Sequence, residues 1–160
     1  MTAMAVQNMI TREQATAEIL AAKRQKRLSF EQIAKAVGKH KVWTTAALLG
    51  QHPMSAEEAE KAITCLGLSE GTAQQVALAL QEFPMRGSLD SAVPVDPTIY
   101  RFYELIQVYG PTIKALIHEE FGDGIMSAID FDMEIQRKED PKGDRVVVTL
   151  NGKFLPYKKF

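Results

Sequence analysis

Arg101 and Glu104 stand three residues apart in a segment with helical signals, so they share one helix face. Their neighbours Tyr100, Phe102, Tyr103 and Leu105 are apolar or aromatic. Two readings are open for the pair. It is either a surface ion pair, which contributes little, or an anion site in which a carboxylate holds the guanidinium donors in place. Ser127 is the polar residue on an otherwise apolar strand face of Ile125, Ile129, Phe131, Met133 and Ile135. A buried hydroxyl left unpaired costs about 1–3 kcal/mol, so Ser127 needs a partner, and nearby backbone is the plain source of one. His118 reads as a helix-surface or packing residue rather than a catalytic base. No His, Cys and carboxylate cluster has metal-ligand spacing, and no glycine-rich nucleotide loop is present; the expectation is no metal and no cofactor.

The elements that must position these groups change character midway. Thr11 with Gln14, Ser29 with Gln32 and Ser55 with Glu58 fit the capping box, in which two side chains satisfy orphan backbone donors at a helix start. With a helix at Lys41 to Leu49 and another from Ser69 to about Glu82, they predict five short helices. Residues 84–97 hold Pro84, Pro94, Pro97 and Gly87 and read as a linker. Asp96-Pro97 opens a helix over Thr98 to Tyr109. Gly110-Pro111 predicts a stop, and Thr112 to Phe121 a further short helix. Period-two alternation then gives a half-buried strand from Ile125 to Gln136. Arg145 to Leu150 reads as a second strand, Asn151-Gly152 as a type I′ hairpin turn, and Lys153 to Leu155 as a third. The expected class is α+β: residues 1–83 a helical bundle, 84–97 a linker, and 98–160 a domain of helices and small antiparallel sheet. Three short strands are marginal alone, so that sheet should pack on a helix or on another chain.

Composition narrows the function classes. The chain has 160 residues, 46% of them hydrophobic, and a formal net charge of −1. That balance exerts no long-range pull on nucleic acid or anionic membrane. No apolar run approaches the roughly 20 residues of a membrane span. Met1 to Ile10 lacks a basic region followed by an apolar core, so it reads as a partly frayed lead-in, not a secretory signal. The single cysteine, Cys65, excludes an internal disulfide, reads as a buried structural thiol, and fits a reducing, cytoplasmic setting. Ser29 to Gly50 resembles a helix-turn-helix of the phage-repressor type, with Gly38 in the turn. DNA binding would put Lys39, His40, Lys41, Trp43, Thr44 and Thr45 in the major groove. Against it, Ala46 to Leu49 must be core, and Glu57, Glu58 and Glu60 follow closely. A helix-turn-helix regulator with a C-terminal dimerising or anion-sensing domain is the alternative to an enzyme.

Longer runs decide between them. Asp96-Pro97-Thr98-Ile99-Tyr100-Arg101-Phe102-Tyr103-Glu104, Gln107-Val108-Tyr109-Gly110 and Lys114-Ala115-Leu116-Ile117-His118-Glu119 resemble the cyanases, also called cyanate hydratases or cyanate lyases. So do Phe121-Gly122-Asp123-Gly124-Ile125-Met126-Ser127-Ala128-Ile129 and Asn151-Gly152-Lys153-Phe154-Leu155-Pro156, with Leu28-Ser29-Phe30, Thr45 to Gln51 and Pro84 to Gly87 in the first half. The resemblance covers nearly the whole chain after Thr11. It implies a lyase that decomposes cyanate with bicarbonate as co-substrate, giving ammonia and carbon dioxide by way of carbamate. It places the family's catalytic arginine, glutamate and serine on Arg101, Glu104 and Ser127. It implies no metal or organic cofactor, no nucleic-acid or membrane partner, and a homodecamer of five dimers. Ser88, where some relatives carry cysteine, is a departure outside the catalytic set.

Overall fold

The computed structural model describes residues 9–87 and 89–160. The expected lead-in before Ile10 lies, as far as residue 8, outside them, and so does Ser88. Among the described residues there are six helices and one two-stranded antiparallel sheet, an α+β fold. The chain divides into two compact units, Met1–Ser88 and Leu89–Phe160.

The first unit is built from α1 (Arg12–Gln25), α2 (Phe30–Val37), α3 (Lys41–Leu48), α4 (Ala56–Leu66) and α5 (Glu70–Gln81). Three starts carry complete capping boxes, at Thr11 with Gln14, Ser29 with Gln32, and Ser55 with Glu58. Each box satisfies two donors that a helix start leaves orphaned. The apolar stripes of the helices meet in a core in which Ile19, Ile33, Leu48, Leu66, Val76 and Leu80 are fully buried. Arg12 locks three distant chain segments together: its guanidinium donates to the carbonyls of Ala79 at 2.8 Å, Ala47 at 3.0 Å and His52 at 2.8 Å. Burial pushes its pKa down from the ordinary arginine value, and the nearby Glu82 partly offsets this.

Two expectations in this unit need correction. Cys65 is half-buried rather than buried, lying against the edge of the core. Its carbonyl accepts from the Lys26 ammonium at 3.0 Å. The core-facing half of α3 stops at Leu48, since Leu49 caps the helix and is exposed. The α2–turn–α3 layout has Gly38 in the left-handed region at φ +80°. Thr44 is fully buried, and Lys39 is paired with Glu58 at 3.3 Å.

The second unit opens with α6 (Pro97–Phe121), capped by Asp96, whose carboxylate accepts from the N–H groups of Thr98 and Ile99 at 2.9 and 3.1 Å. The expected break at Gly110-Pro111 does not occur: α6 runs unbroken for 25 residues. Carrying Pro111 through forfeits the one bond its missing N–H would make. Ending the helix there would orphan several donors and acceptors on each side. Gly110 lowers the cost further, because it has no Cβ for the proline ring to strike.

The sheet pairs β1 (Gly124–Lys138) with β2 (Arg145–Pro156), so the expected third strand is part of the second. Asn151-Gly152 is not a turn. A type I′ turn needs positive φ at both central residues, and neither has it. β2 passes straight through, with Asn151 opposite Asp132 and Gly152 opposite Phe131. The Asn151 side chain donates to the Asp132 carboxylate at 3.1 Å. The chain turns at residues 139–144, as the polar run with Pro141 and Gly143 predicts: Gly143 has φ +120° and the Asp140 carboxylate accepts from Lys142 N–H at 2.9 Å.

The irregularity sits in β1. Met126 pairs with Phe154 and Phe131 with Gly152, so Ser127, Ala128, Ile129 and Asp130 face the single residue Lys153. This is a large bulge. It overturns the expectation of one continuous apolar face. Gly152 and Leu155 are an odd step apart on β2, so their partners Phe131 and Ile125 fall on opposite sides of the sheet. Ile129, inside the bulge, is almost wholly exposed at 97%.

Candidate active site

Arg101 and Glu104 lie in the second turn of α6, and the helix places them as their spacing predicts. An Arg101 Nη1 proton is donated to Glu104 Oε2. Both side chains face solvent in the single chain, Arg101 at 70%. Exposed pairs of this kind add at most about 1 kcal/mol to stability. Glu104 holds one edge of the guanidinium, and among the described residues Arg101 makes no other side-chain bond. Tyr100 and Tyr103, with ring centres 5.9 Å apart, flank the pair.

Ser127 is buried at 4% exposure, at the start of the bulge. Its hydroxyl oxygen accepts from Ile129 N–H at 3.0 Å and Asp130 N–H at 2.9 Å. Nearby backbone is therefore its partner, the plain source anticipated from the sequence. A serine hydroxyl has two acceptor sites and one donor. With both acceptor sites filled, the group is left to donate. That suits an anion oxygen and does not suit a nucleophile, which would need a free lone pair.

Among the described residues no hydrogen bond joins Ser127 to Arg101 or Glu104. The contacts between α6 and the hairpin occur at the far end of the helix. His118 Nε2 lies 3.3 Å from the Gly124 carbonyl, and the Phe121 and Phe154 rings stack at 5.3 Å. His118 is half-buried and acts as that tether. No group of three or more His, Cys, Asp and Glu that could hold a metal is present among the described residues. No helix among them is long and apolar enough to cross a membrane. Two features escaped the sequence reading: the bulge, and the Arg12 lock. Neither has a local signature, because both are made with residues far along the chain.

A guanidinium braced by a carboxylate and, apart from it, a buried hydroxyl confined to donating are two groups suited to small oxyanions, carried on an α+β chain. Comparison with known proteins carries this to a family. Residues 12–84 match the family described as cyanate hydratase, N-terminal, and residues 91–159 match the cyanate lyase C-terminal domain. The chain is 60% identical over 148 residues to a cyanate hydratase of Mycolicibacterium vanbaalenii, covering 92% of this chain and 94% of that one. It is 56% identical over 151 residues to a cyanate hydratase of Thiobacillus denitrificans, covering 94% of this chain and all of the other. The crystal structure of cyanase from T. urticae superposes with a TM-score of 0.73 at 40% identity, over 89% of this chain and 97% of that chain. The chain belongs to the cyanate hydratase family.

Proposed function

We propose that the chain decomposes cyanate with bicarbonate, and that Arg101, Glu104 and Ser127 are its catalytic residues. A bicarbonate oxygen attacks the cyanate carbon and forms a carbamate–carbonate anhydride bearing two negative charges. Cleavage of its C–O bond releases carbon dioxide, and one proton is taken up to leave carbamate. Carbamate takes up a second proton and falls apart to ammonia and carbon dioxide. The protein has two tasks: to bring two anions together, and to aim fixed donors at the dianion.

The observation that carries this reading is the donor-only character of both groups. Arg101 can offer its remaining N–H groups to one anion, and Ser127 can offer its O–H to an oxygen of another. Glu104 orients the guanidinium, a role supported by its bond to Arg101. The site is completed by more than one chain. Arg101 precedes the last residue of α6, Phe121, by roughly 30 Å of helix axis, and the hairpin is tethered at that far end. Bringing Arg101 to Ser127 is simplest between neighbours. The assembly is a homo-oligomer, a decamer of five dimers by resemblance to the family, with the second unit as the dimerising and catalytic part. Its support is that α6 buries none of its residues, while Phe102, Leu105, Ile106, Val108, Tyr109 and Leu116 are exposed.

The helical unit serves packing and assembly rather than DNA. Thr44, one of the residues a groove-reading helix would present, is fully buried, and Lys39 is engaged by Glu58. The reaction needs no metal or organic cofactor, and the free thiol of Cys65 fits a cytoplasmic location. Ammonia release from cyanate, measured with and without bicarbonate, tests the reading. The expected result is release only with bicarbonate; equal release in bicarbonate-free buffer would show simple hydrolysis and overturn it.

A further inference from the structure

Asn151-Gly152 looks like a turn in the sequence and lies inside a strand in the fold, which leaves its glycine without the usual purpose. Gly152 does not have a positive φ, so backbone conformation does not demand glycine there. Space does. A Cβ on Gly152 would stand 2.3 Å from the carbonyl oxygen of Ser127 and 2.6 Å from Met126 Cγ. The methionine could swing away, but the carbonyl is main chain and could move only with Ser127 itself. The crowding falls where the bulge begins, at the residue whose hydroxyl gathers the N–H groups of Ile129 and Asp130. A bare backbone at 152 is thus what lets β2 close against the Ser127 peptide.

We propose that Gly152 is a positioning residue for Ser127. By presenting no side chain it admits the Ser127 carbonyl, fixes the root of the bulge and so sets where the Ser127 hydroxyl points. The catalytic part of this inference rests on the reading that Ser127 donates to an anion; the geometric part does not.

The test uses the full-length assembled enzyme and compares wild type with Gly152→Ala, Ser127→Ala, the double variant, and Asn151→Ala as a control in the same strand. Misplacing a reacting group by about 1 Å can cost on the order of 100-fold. Gly152→Ala is expected to lose activity on that scale and to divide the loss between kcat and KM as Ser127→Ala does. The double variant is expected to be no worse than Ser127→Ala alone, because a donor that is absent cannot be misplaced. Amide exchange gives a reading independent of catalysis. In Gly152→Ala the Ile129 and Asp130 N–H groups should exchange about tenfold faster or more, while amides of the regular ladder around Met133 and Ile135 keep their protection. Asn151→Ala should leave kinetics and both bulge amides unchanged.

Additive losses in the double variant, or wild-type kinetics and protection in Gly152→Ala, would overturn the proposal. If Ser127→Ala proves fully active, the catalytic role of Ser127 fails, and exchange at Ile129 and Asp130 alone decides whether Gly152 holds the bulge. Should Gly152→Ala fail to assemble, Met126→Ala is added to relieve the second contact and the same readouts are taken. Failure of both variants to assemble would overturn the proposal, since the glycine would then serve the hairpin as a whole.

Discussion

Arg101 and Ser127 illustrate how a residue's remaining bonding capacity limits its chemistry. Glu104 occupies one edge of the guanidinium, and a planar fork remains for an oxyanion. Arg101→Lys keeps the charge but loses the fork. It should abolish most turnover, on the order of 100-fold or more by analogy with losing one charge-stabilising donor, with an unchanged circular dichroism spectrum. Near-normal kinetics would reduce Arg101 to a surface ion-pair partner. Ser127→Ala removes a donor from the reaction and an acceptor from two backbone N–H groups. It should therefore cut turnover per folded molecule with little loss of stability, because Ile129 and Asp130 are exposed and their freed N–H groups can turn to water. A loss of stability with full turnover per folded molecule would confine Ser127 to the fold. The spacing of Arg101 and Glu104 made their pairing legible from sequence, because three residues along a helix is a local relation. The partners of Ser127 were legible as a class, nearby backbone, and not as a geometry.

At the scale of elements the helix starts were readable for the same reason. A capping box is complete within four residues, and the three boxes at Thr11, Ser29 and Ser55 formed as their residue types dictate. They differ in one respect that can be measured. The third residues of α1 and α2 are Gln14 and Gln32, whereas α4 uses Glu58. The Ser55 N–H bond at 2.8 Å, with Lys39 nearby, holds the Glu58 carboxyl below its ordinary pKa of 4.5. A group whose folded pKa is depressed contributes stability above its unfolded pKa and loses it as pH falls through the folded value. Thermal melts should therefore show a decline below about pH 4.5 that is shallower in Glu58→Gln, since glutamine still accepts from Ser55 N–H and does not titrate. Identical acid limbs in the two proteins would show that this box is not a pH-sensitive support. The elements that were not legible failed for stated reasons. Gly110-Pro111 carries a local stop signal, but only the whole helix reveals how few bonds are lost by continuing. The bulge depends on which residue of β2 stands opposite Ser127, a relation across the hairpin. Arg12 reaches carbonyls 35, 40 and 67 residues away, beyond any local pattern.

Taken whole, the two units have unequal means of holding themselves together. The first buries a continuous apolar core, while the second exposes most of its large apolar side chains in the single chain. A chain stabilised by its neighbours has a melting temperature that rises with protein concentration. The second unit should show that dependence, followed by tyrosine signals from Tyr100, Tyr103, Tyr109 and Tyr157, all of which lie in it. The transition should track loss of activity on dilution. A concentration-independent melt of a fully active monomer would rule out shared sites. Mixing Arg101→Ala and Ser127→Ala subunits after dissociation should restore part of the activity, because some hybrid sites then receive one intact copy of each group. No recovery in a proven mixed oligomer would place both groups of each site on one chain.

The unbroken passage of α6 through Pro111 turns residue count into a ruler. Each residue added to a helix advances it by about 1.5 Å and rotates everything beyond by roughly 100°. Adding one alanine after Gln107 would swing the Arg101–Glu104 pair about a quarter turn away from its bearing on the hairpin, though nothing in either group had changed. Adding seven would nearly restore the bearing while displacing the pair by roughly 10 Å. A loop at Gly110-Pro111 would have absorbed both insertions. A continuous helix absorbs neither, so the spacing between Arg101 and His118 is expected to tolerate substitutions far better than changes in length.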